Sequence, residues 1–227
     1  SELESYIENI EFVDYFIDLP KTINGRKRRV CYSENCVHEG YTEITLYKLL
    51  TSVVKDKSFF NKYKGKDLLL KIAEIVEKEI YFNPMEYFSK IIYLDSITLN
   101  EDRHFNNISF LVNDKGFGKG MPILDNGRAL LSNEEIYSID RSIQACVCSV
   151  KSKPFATSFK KQVGYFLDSY KPLIIDYNSA IKSLDNAFSQ AEDFSFGNKL
   201  SARMLRRMIS VLKTRMKEQE GITWIRK

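Results

Sequence analysis

Apolar positions along this chain change period twice. Between Glu11 and Leu19 the run EFVDYFIDL is rich in β-branched and aromatic residues and predicts a strand. Asn24-Gly25 predicts a hairpin turn, and Arg29 to Ser33 the returning strand. Ahead of them, Leu3, Tyr6, Ile7 and Ile10 at helical spacing predict the end of a helix over Ser1–Asn9. After Gly40 the period becomes helical. Glu43–Val54 is amphipathic, and Lys66–Ile80 sets Leu69, Ile72, Ala73, Val76 and Ile80 on one face. Asn83 reads as a cap with Pro84 in the first turn of a helix that runs to about Leu94. That helix is apolar almost all round, which predicts a central, buried position. Asp95 to Asn107 is polar and irregular. Ile108–Val112 and Met121–Leu124 read as short strands around a glycine-rich turn, Asn113–Gly120. Three more helical segments follow, at Thr157–Ser169, Asp176–Ser189 and Ser201–Glu220. The fold class expected is mostly α (α+β), a helical body with a small strand edge.

Composition changes this picture little. The 227 residues are 44% hydrophobic and 28% charged, ordinary for a chain with a packed core. No apolar run approaches the length needed to span a membrane. Ser1 to Glu8 lacks a basic-then-apolar leader, so a cytoplasmic location is expected. The net charge of +4 is too small to argue for nucleic acid. Four cysteines, Cys31, Cys36, Cys146 and Cys148, read as free thiols rather than a disulfide framework. Cys31-x4-Cys36-x-His38 offers metal-ligating side chains but fits no common zinc spacing, and a plain strand and loop is the preferred reading. Arg26-Lys27-Arg28-Arg29 reads as a solvated turn. Lys199, Arg203, Arg206, Arg207, Lys213, Arg215 and Lys217 share the last long helix with Leu200, Met204, Met208, Val211 and Leu212. The plain reading is an apolar face on the body and a basic face in solvent. The alternative is a surface for nucleic acid or an acidic partner.

Chemistry concentrates between Leu94 and Leu131. An apolar helix delivers a polar loop holding Asp102, Arg103, His104 and Asn107, and a hairpin then leads to Asp125-Asn126-Gly127. Ionisable residues between buried elements are costly unless paired or liganded. Asp102 and Asn107 stand as D-x-x-x-x-N. Enzymes of the protein-kinase type place a base and a Mg²⁺-binding amide at that spacing, and a second metal-binding Asp after a short hairpin and before a Gly. Mg²⁺ takes hard oxygen ligands and keeps several waters, so Asn107 and Asp125 suffice as protein ligands. Asp102 is then free to orient an acceptor hydroxyl and take its proton. The competing reading is a structural polar loop, with Asp102 capping a helix and His104 satisfied in the core.

The stretch Leu94-Asp95-Ser96-Ile97-Thr98-Leu99-Asn100-Glu101-Asp102-Arg103-His104-Phe105-Asn106-Asn107, followed by Pro122-Ile123-Leu124-Asp125-Asn126-Gly127, resembles the HipA-like kinase family. Its D-R-H-x-x-N form is shared with phosphatidylinositol 3- and 4-kinases. Val13-Asp14-Tyr15, Asn24-Gly25-Arg26, Val30-Cys31-Tyr32-Ser33-Glu34-Asn35-Cys36 and Lys153-Pro154-Phe155 are also similar. The resemblance implies a serine/threonine protein kinase using ATP and Mg²⁺. In it Asp102 is the catalytic base, His104 steadies the loop, and Asn107 and Asp125 bind the metal and the nucleotide. Glu34 and Cys36 fall at the hinge that meets adenine. It further implies a protein substrate, translation-related in characterised members, and a DNA-binding antitoxin as partner.

The chain departs from the family at its front. Kinases carry a Gly-rich loop and a strand Lys over the phosphates, and neither is found here. Gly116-Phe117-Gly118-Lys119-Gly120 lacks Walker spacing and reads as a hairpin turn. The expected organisation is therefore residues 1–36 as the rear edge of a kinase N-lobe and residues 37–227 as the helical C-lobe. Such a chain is expected to show little activity alone, and a second chain completing the N-lobe is one implied partner. The readings left beside an active kinase are a kinase-like binding module without catalysis and a lipid kinase.

Overall fold

The computed structural model describes residues 7, 8, 10–23, 26–56, 58–171, 173–176, 178–183, 186, 199–218 and 223–225. Three small sheets surround a helical body. Strands β1 (Phe16–Ile23) and β2 (Arg26–Tyr32) pair antiparallel, with Ile23 opposite Arg26. The basic run at Arg26 thus opens a strand and is not a turn. Asn24-Gly25 itself lies outside the described residues. A second sheet has the order β3-β4-β5, from β3 (Tyr41–Thr45), β4 (Ser109–Asn113) and β5 (Gly118–Gly120), all antiparallel. The third pairs β6 (Leu173–Ile175) with β7 (Thr223–Ile225) in parallel.

The helices are α1 (Leu46–Val53), α2 (Phe59–Lys62), α3 (Gly65–Ile80), α4 (Met85–Thr98), α5 (Ile143–Ser149), α6 (Phe159–Val163), a helical stretch α7 at 178–183, and α8 (Lys199–Glu218). In α1, Leu46, Leu49 and Leu50 are buried, and the Thr45 hydroxyl caps the helix by accepting from the Lys48 N–H. In α3, Leu68, Leu69, Ile72, Ala73, Val76 and Ile80 form the expected stripe. Helix α4 is the central one: its residues from Ile91 to Thr98 are all buried. Asn83 Oδ1 accepts from the Met85 N–H, but the cap position falls one residue later than expected, on Pro84, and the helix begins at Met85.

Several expectations need correction. Tyr41–Thr45 was expected to feed a helix beginning at Glu43, but it is strand β3, because β4 offers it a full antiparallel ladder. Helix α4 runs one turn past Leu94 and takes in Asp95. The second hairpin strand sits at Gly118–Gly120 rather than Met121–Leu124, and Ile123 instead makes a parallel bridge with Phe12. Ile7 is not helical. It bridges Ile175, and the Glu8 N–H donates to the Ile174 carbonyl at 2.9 Å; Ser1–Tyr6 and Asn9 lie outside the described residues. Helix α5 was not anticipated, and Thr157–Ser169 shortens to α6 followed by turns.

The basic face of α8 is not simply solvated. Arg207 and Arg215 are buried. Arg207 donates to the carbonyls of Tyr137 and Ser138 and to Cys146 Sγ, and Arg215 donates to the Ser96 carbonyl at the end of α4. Arg203 pairs with Asp140 at 2.9 Å. Val211 and Leu212 pack inward as expected. Part of the positive charge therefore fastens α8 to the body. Cys36, Cys146 and Cys148 are free thiols. Among the described residues, no helix is long and apolar enough to cross a membrane.

Candidate active site

Helix α4 ends because Leu99 turns left-handed, with φ of 54°, and its N–H closes on the Asp95 carbonyl. The chain then leaves the buried helix into the loop Asn100–Asn107. A buried polar loop must satisfy its backbone internally. Its own backbone, Asn100 and Asn107 do part of that, and one side chain ties the loop to the elements around it. Arg103 is fully buried. Its guanidinium meets Asp95 at two points, Nε to Oδ2 at 3.0 Å and Nη2 to Oδ1 at 2.9 Å. Nη1 donates to the carbonyls of Asn107 (2.9 Å) and Leu124 (2.8 Å), and Nη2 also to Asn126 Oδ1 at 2.7 Å. Burial pushes the Asp95 carboxyl up while Arg103 and Asn100 pull it down; the two-point contact is that of an ion pair. Asn100, equally buried, donates to Asp95 and Asn126 and accepts the Asp102 N–H.

This network joins the two segments that carry the candidate residues. Asn107 is the last residue of the short 3-10 turn Phe105–Asn107, and Asp125 follows the Leu124 carbonyl that Arg103 holds. Asn107 Nδ2 donates to the Asp102 carbonyl at 3.2 Å, which leaves its amide oxygen available. Asp125 is exposed and left-handed, with φ of 58°, and its N–H donates to the Tyr15 hydroxyl at 3.3 Å. Asp102 is partly exposed. Lys153 Nζ donates to its Oδ1 at 3.0 Å, and Arg128 Nε lies 3.6 Å from its Oδ2. Burial pushes the Asp102 carboxyl up, but Lys153, Arg128 and His104 outweigh burial and hold it below the ordinary 3.8. An ionised carboxylate in reach of solvent can take a proton from an approaching hydroxyl.

The structure thus gathers Asp102, His104, Asn107 and Asp125 in one connected region. The hydrogen bonds of His104 there are made by its backbone: its N–H donates to the Asp102 carbonyl, its carbonyl accepts the Asn107 N–H, and its buried Nδ1 has no hydrogen-bond partner. Glu34 and Cys36 lie in the loop between β2 and β3, and no hydrogen bond or ion pair among the described residues joins them to the Asp102 loop. Asn107 and Asp125 present one amide and one carboxylate oxygen, hard donors of the kind Mg²⁺ takes. Among the described residues no group of three or more His, Cys, Asp or Glu is arranged to hold a metal. A cleft of about 480 Å³ is lined by Ile10, Tyr87, Lys90, Lys119 and Met121 among others, and none of the candidate residues lines it.

Sequence reasoning passed over Asp95, Asn100, Lys153 and Arg128 as site residues, and named Arg103 without a role. Asp95 had a signal: it is the one acid in the stretch Ile91–Thr98 of an otherwise buried helix, and a buried charge needs a partner. Lys153 had none beyond its family-like Lys-Pro-Phe context.

No protein-family model matches the chain, and no curated protein matches it. A solved structure does: the crystal structure of a Helicobacter pylori proinflammatory kinase, CtkA. The likeness has a TM-score of 0.57 at 15% sequence identity, and covers 92% of this chain and 77% of that one. At that identity the likeness speaks to the fold, and the chain has a kinase-like α+β fold.

Proposed function

We propose that this chain is a HipA-like serine/threonine protein kinase, or the larger lobe of one, transferring the γ-phosphoryl group of ATP to a protein hydroxyl. The observation that carries the reading is Arg103, which binds Asp95, Asn107, Leu124 and Asn126 at once and so fixes the loop of Asp102 against the segment of Asp125. Positioning and charge stabilisation supply most of the catalysis in phosphoryl transfer, so a rigid frame for these residues is what the reaction needs. Asp102, held ionised, orients the acceptor hydroxyl and takes its proton. The Asn107 amide oxygen and the Asp125 carboxylate hold Mg²⁺, whose chemistry is to neutralise phosphate charge. Residues 1–36 serve as the rear edge of the smaller lobe, with adenine at Glu34 and Cys36, and residues 37–227 as the larger lobe. A translation-related protein as substrate and an antitoxin as partner belong to the same reading.

Calorimetric titration of Mg·ATP into the chain and into Asp125→Ala tests it. Binding that requires Mg²⁺ and falls at least tenfold in the variant is expected. No binding, or equal binding by both proteins, overturns it. A kinase-like binding module without transfer is the second reading, favoured by one observation: cations face both oxygens of Asp102.

A further inference from the structure

An exposed lysine beside a carboxylate is ordinarily a weak surface contact. Lys153 is half exposed, but the backbone that carries it is built with care. Gln162, fully buried on α6, accepts the N–H groups of Phe155 (2.8 Å) and Ala156 (3.2 Å) through Oε1 and donates to the Lys153 carbonyl (3.0 Å) through Nε2. Ser152, also buried, donates from its hydroxyl to the Ala156 carbonyl at 2.7 Å. Phe155 is buried against Phe88 of α4 and against Phe105, inside the Asp102 loop, with ring centroids 5.9 and 6.1 Å apart. The segment 152–157 is thus registered to the loop by apolar contact, and it delivers a cation to Asp102 from 51 residues along the chain.

Arg128 reaches the same carboxylate from another element. It lies three residues after Asp125, in a segment that holds Asp125, Leu130 and Leu131 left-handed, with φ of 58°, 56° and 60°. L-residues adopt that conformation only where the surroundings impose it. Here the Leu130 N–H donates to the Thr98 carbonyl at 2.6 Å and the Ala129 N–H to the Asn126 carbonyl at 3.1 Å. Arg128 Nε, at 3.6 Å from Asp102, is held by charge and not by a hydrogen bond, so its head can turn.

The loop itself offers no lysine or arginine outward. From Asp102 to Asn107 the one arginine, Arg103, is turned inward and fully used. Positive charge at the mouth of the site therefore comes from Lys153 and Arg128. Two solvent-reaching cations on fixed backbones, converging on one point, suit an anion with oxygens on several sides.

We propose that Lys153, assisted by Arg128, binds the phosphoryl group in transfer, and that Lys153 is a catalytic residue. The proposal rests on the phosphotransferase reading above. In the step, the acceptor oxygen bonds to the γ-phosphorus, and its proton passes to Asp102. The bond from that phosphorus to the β-phosphate oxygen breaks, and the nucleoside diphosphate leaves with the electron pair. The Lys153 ammonium has three N–H donors. One keeps Asp102 in place while another meets a non-bridging oxygen of the group in flight. The contact to Asp102 is then the resting state of a working cation, not a block on the base.

The test is calorimetric binding of Mg·ADP alone and of Mg·ADP with aluminium fluoride, a mimic of the planar phosphoryl group, to the whole chain. The wild-type protein is expected to bind the fluoride complex the tighter of the two. Lys153→Met is expected to keep its Mg·ADP affinity and to lose on the order of 100-fold in affinity for the fluoride complex, the scale of one preorganised donor. Lys153→Arg recovers part of the loss, and Arg128→Met shows a smaller one. Tightening by fluoride that survives Lys153→Met, or no tightening in the wild-type protein, overturns the proposal and leaves the kinase reading standing. No Mg·ADP binding by the wild-type protein overturns both.

Discussion

Two neighbouring stretches, Asn100–Asn107 and Asn113–Gly120, look alike as sequence. Each breaks the helical period and collects polar or glycine residues, although only the first reads as a site and the second reads as a hairpin turn. They are built on opposite principles. The first is organised by one buried guanidinium that satisfies a carboxylate, two carbonyls and an amide. The second is organised by space. A Cβ on Gly118 would stand 2.5 Å from Ile80 Cδ1, and one on Gly120 2.6 Å from Tyr87 Cδ2. The glycines let β5 lie against α3 and α4, so they answer to packing, not to an anion. Residue type alone does not separate a site from a tight fit; what each residue touches does.

The sharpest way to break this contrast is Arg103→Met. Removing one member of a buried pair leaves the Asp95 carboxyl buried without its partner, and the expected loss is about 3–5 kcal/mol in chemical denaturation. Adding Asp95→Leu to that variant is expected to restore a large part, because the buried carboxyl is then gone. A loss under about 1 kcal/mol for Arg103→Met would mean that the loop does not depend on it.

Gly120→Ala tests the other half. The new methyl meets the partly buried ring of Tyr87, whose hydroxyl is tied to the Ser109 carbonyl at 3.0 Å, so the ring cannot step aside freely. The expected cost is about 1–3 kcal/mol, with nucleotide binding unchanged. Loss of nucleotide binding at wild-type stability would make the glycine hairpin a phosphate loop after all.

Much of the fold could be read from the chain because it rests on one-dimensional pattern. The stripe of α3, the all-round apolar character of α4 and its start beside Asn83-Pro84 are local facts of spacing. What escaped depends on partners distant in sequence. Tyr41–Thr45 is a strand because Ser109–Asn113 lies beside it. Gly118–Gly120 is a strand despite the poor β propensity of glycine, because the hairpin packs on two helices. Arg207 and Arg215 read as solvated charge until the carbonyls of Tyr137, Ser138 and Ser96 are placed over them. The candidate site divides in the same way. Asp102, Asn107 and Asp125 announce themselves by order and interval, whereas Lys153 and Arg128 reach Asp102 only once the chain is folded.

The smallest effect expected is also the most direct on the carboxylate. Asp102 titrates below its ordinary value of 3.8, since Lys153, Arg128 and His104 together outweigh burial. A folded value below the unfolded one means that the native state favours the charged form. Asp102 therefore adds stability above the unfolded pKa, and that stability is lost as the pH falls through the folded one. Lys153→Met removes the strongest of the lowering influences, so the Asp102 carboxyl is expected to titrate higher, followed by the NMR shift of its carboxyl carbon. The stability gap between wild-type and variant should then be constant near neutrality and close below about pH 4, where the unfolded carboxyl takes its proton. A carboxyl that titrates at or above its ordinary value in the wild-type chain would mean that burial prevails over the two cations, and a base held ready in its ionised form would lose its physical support.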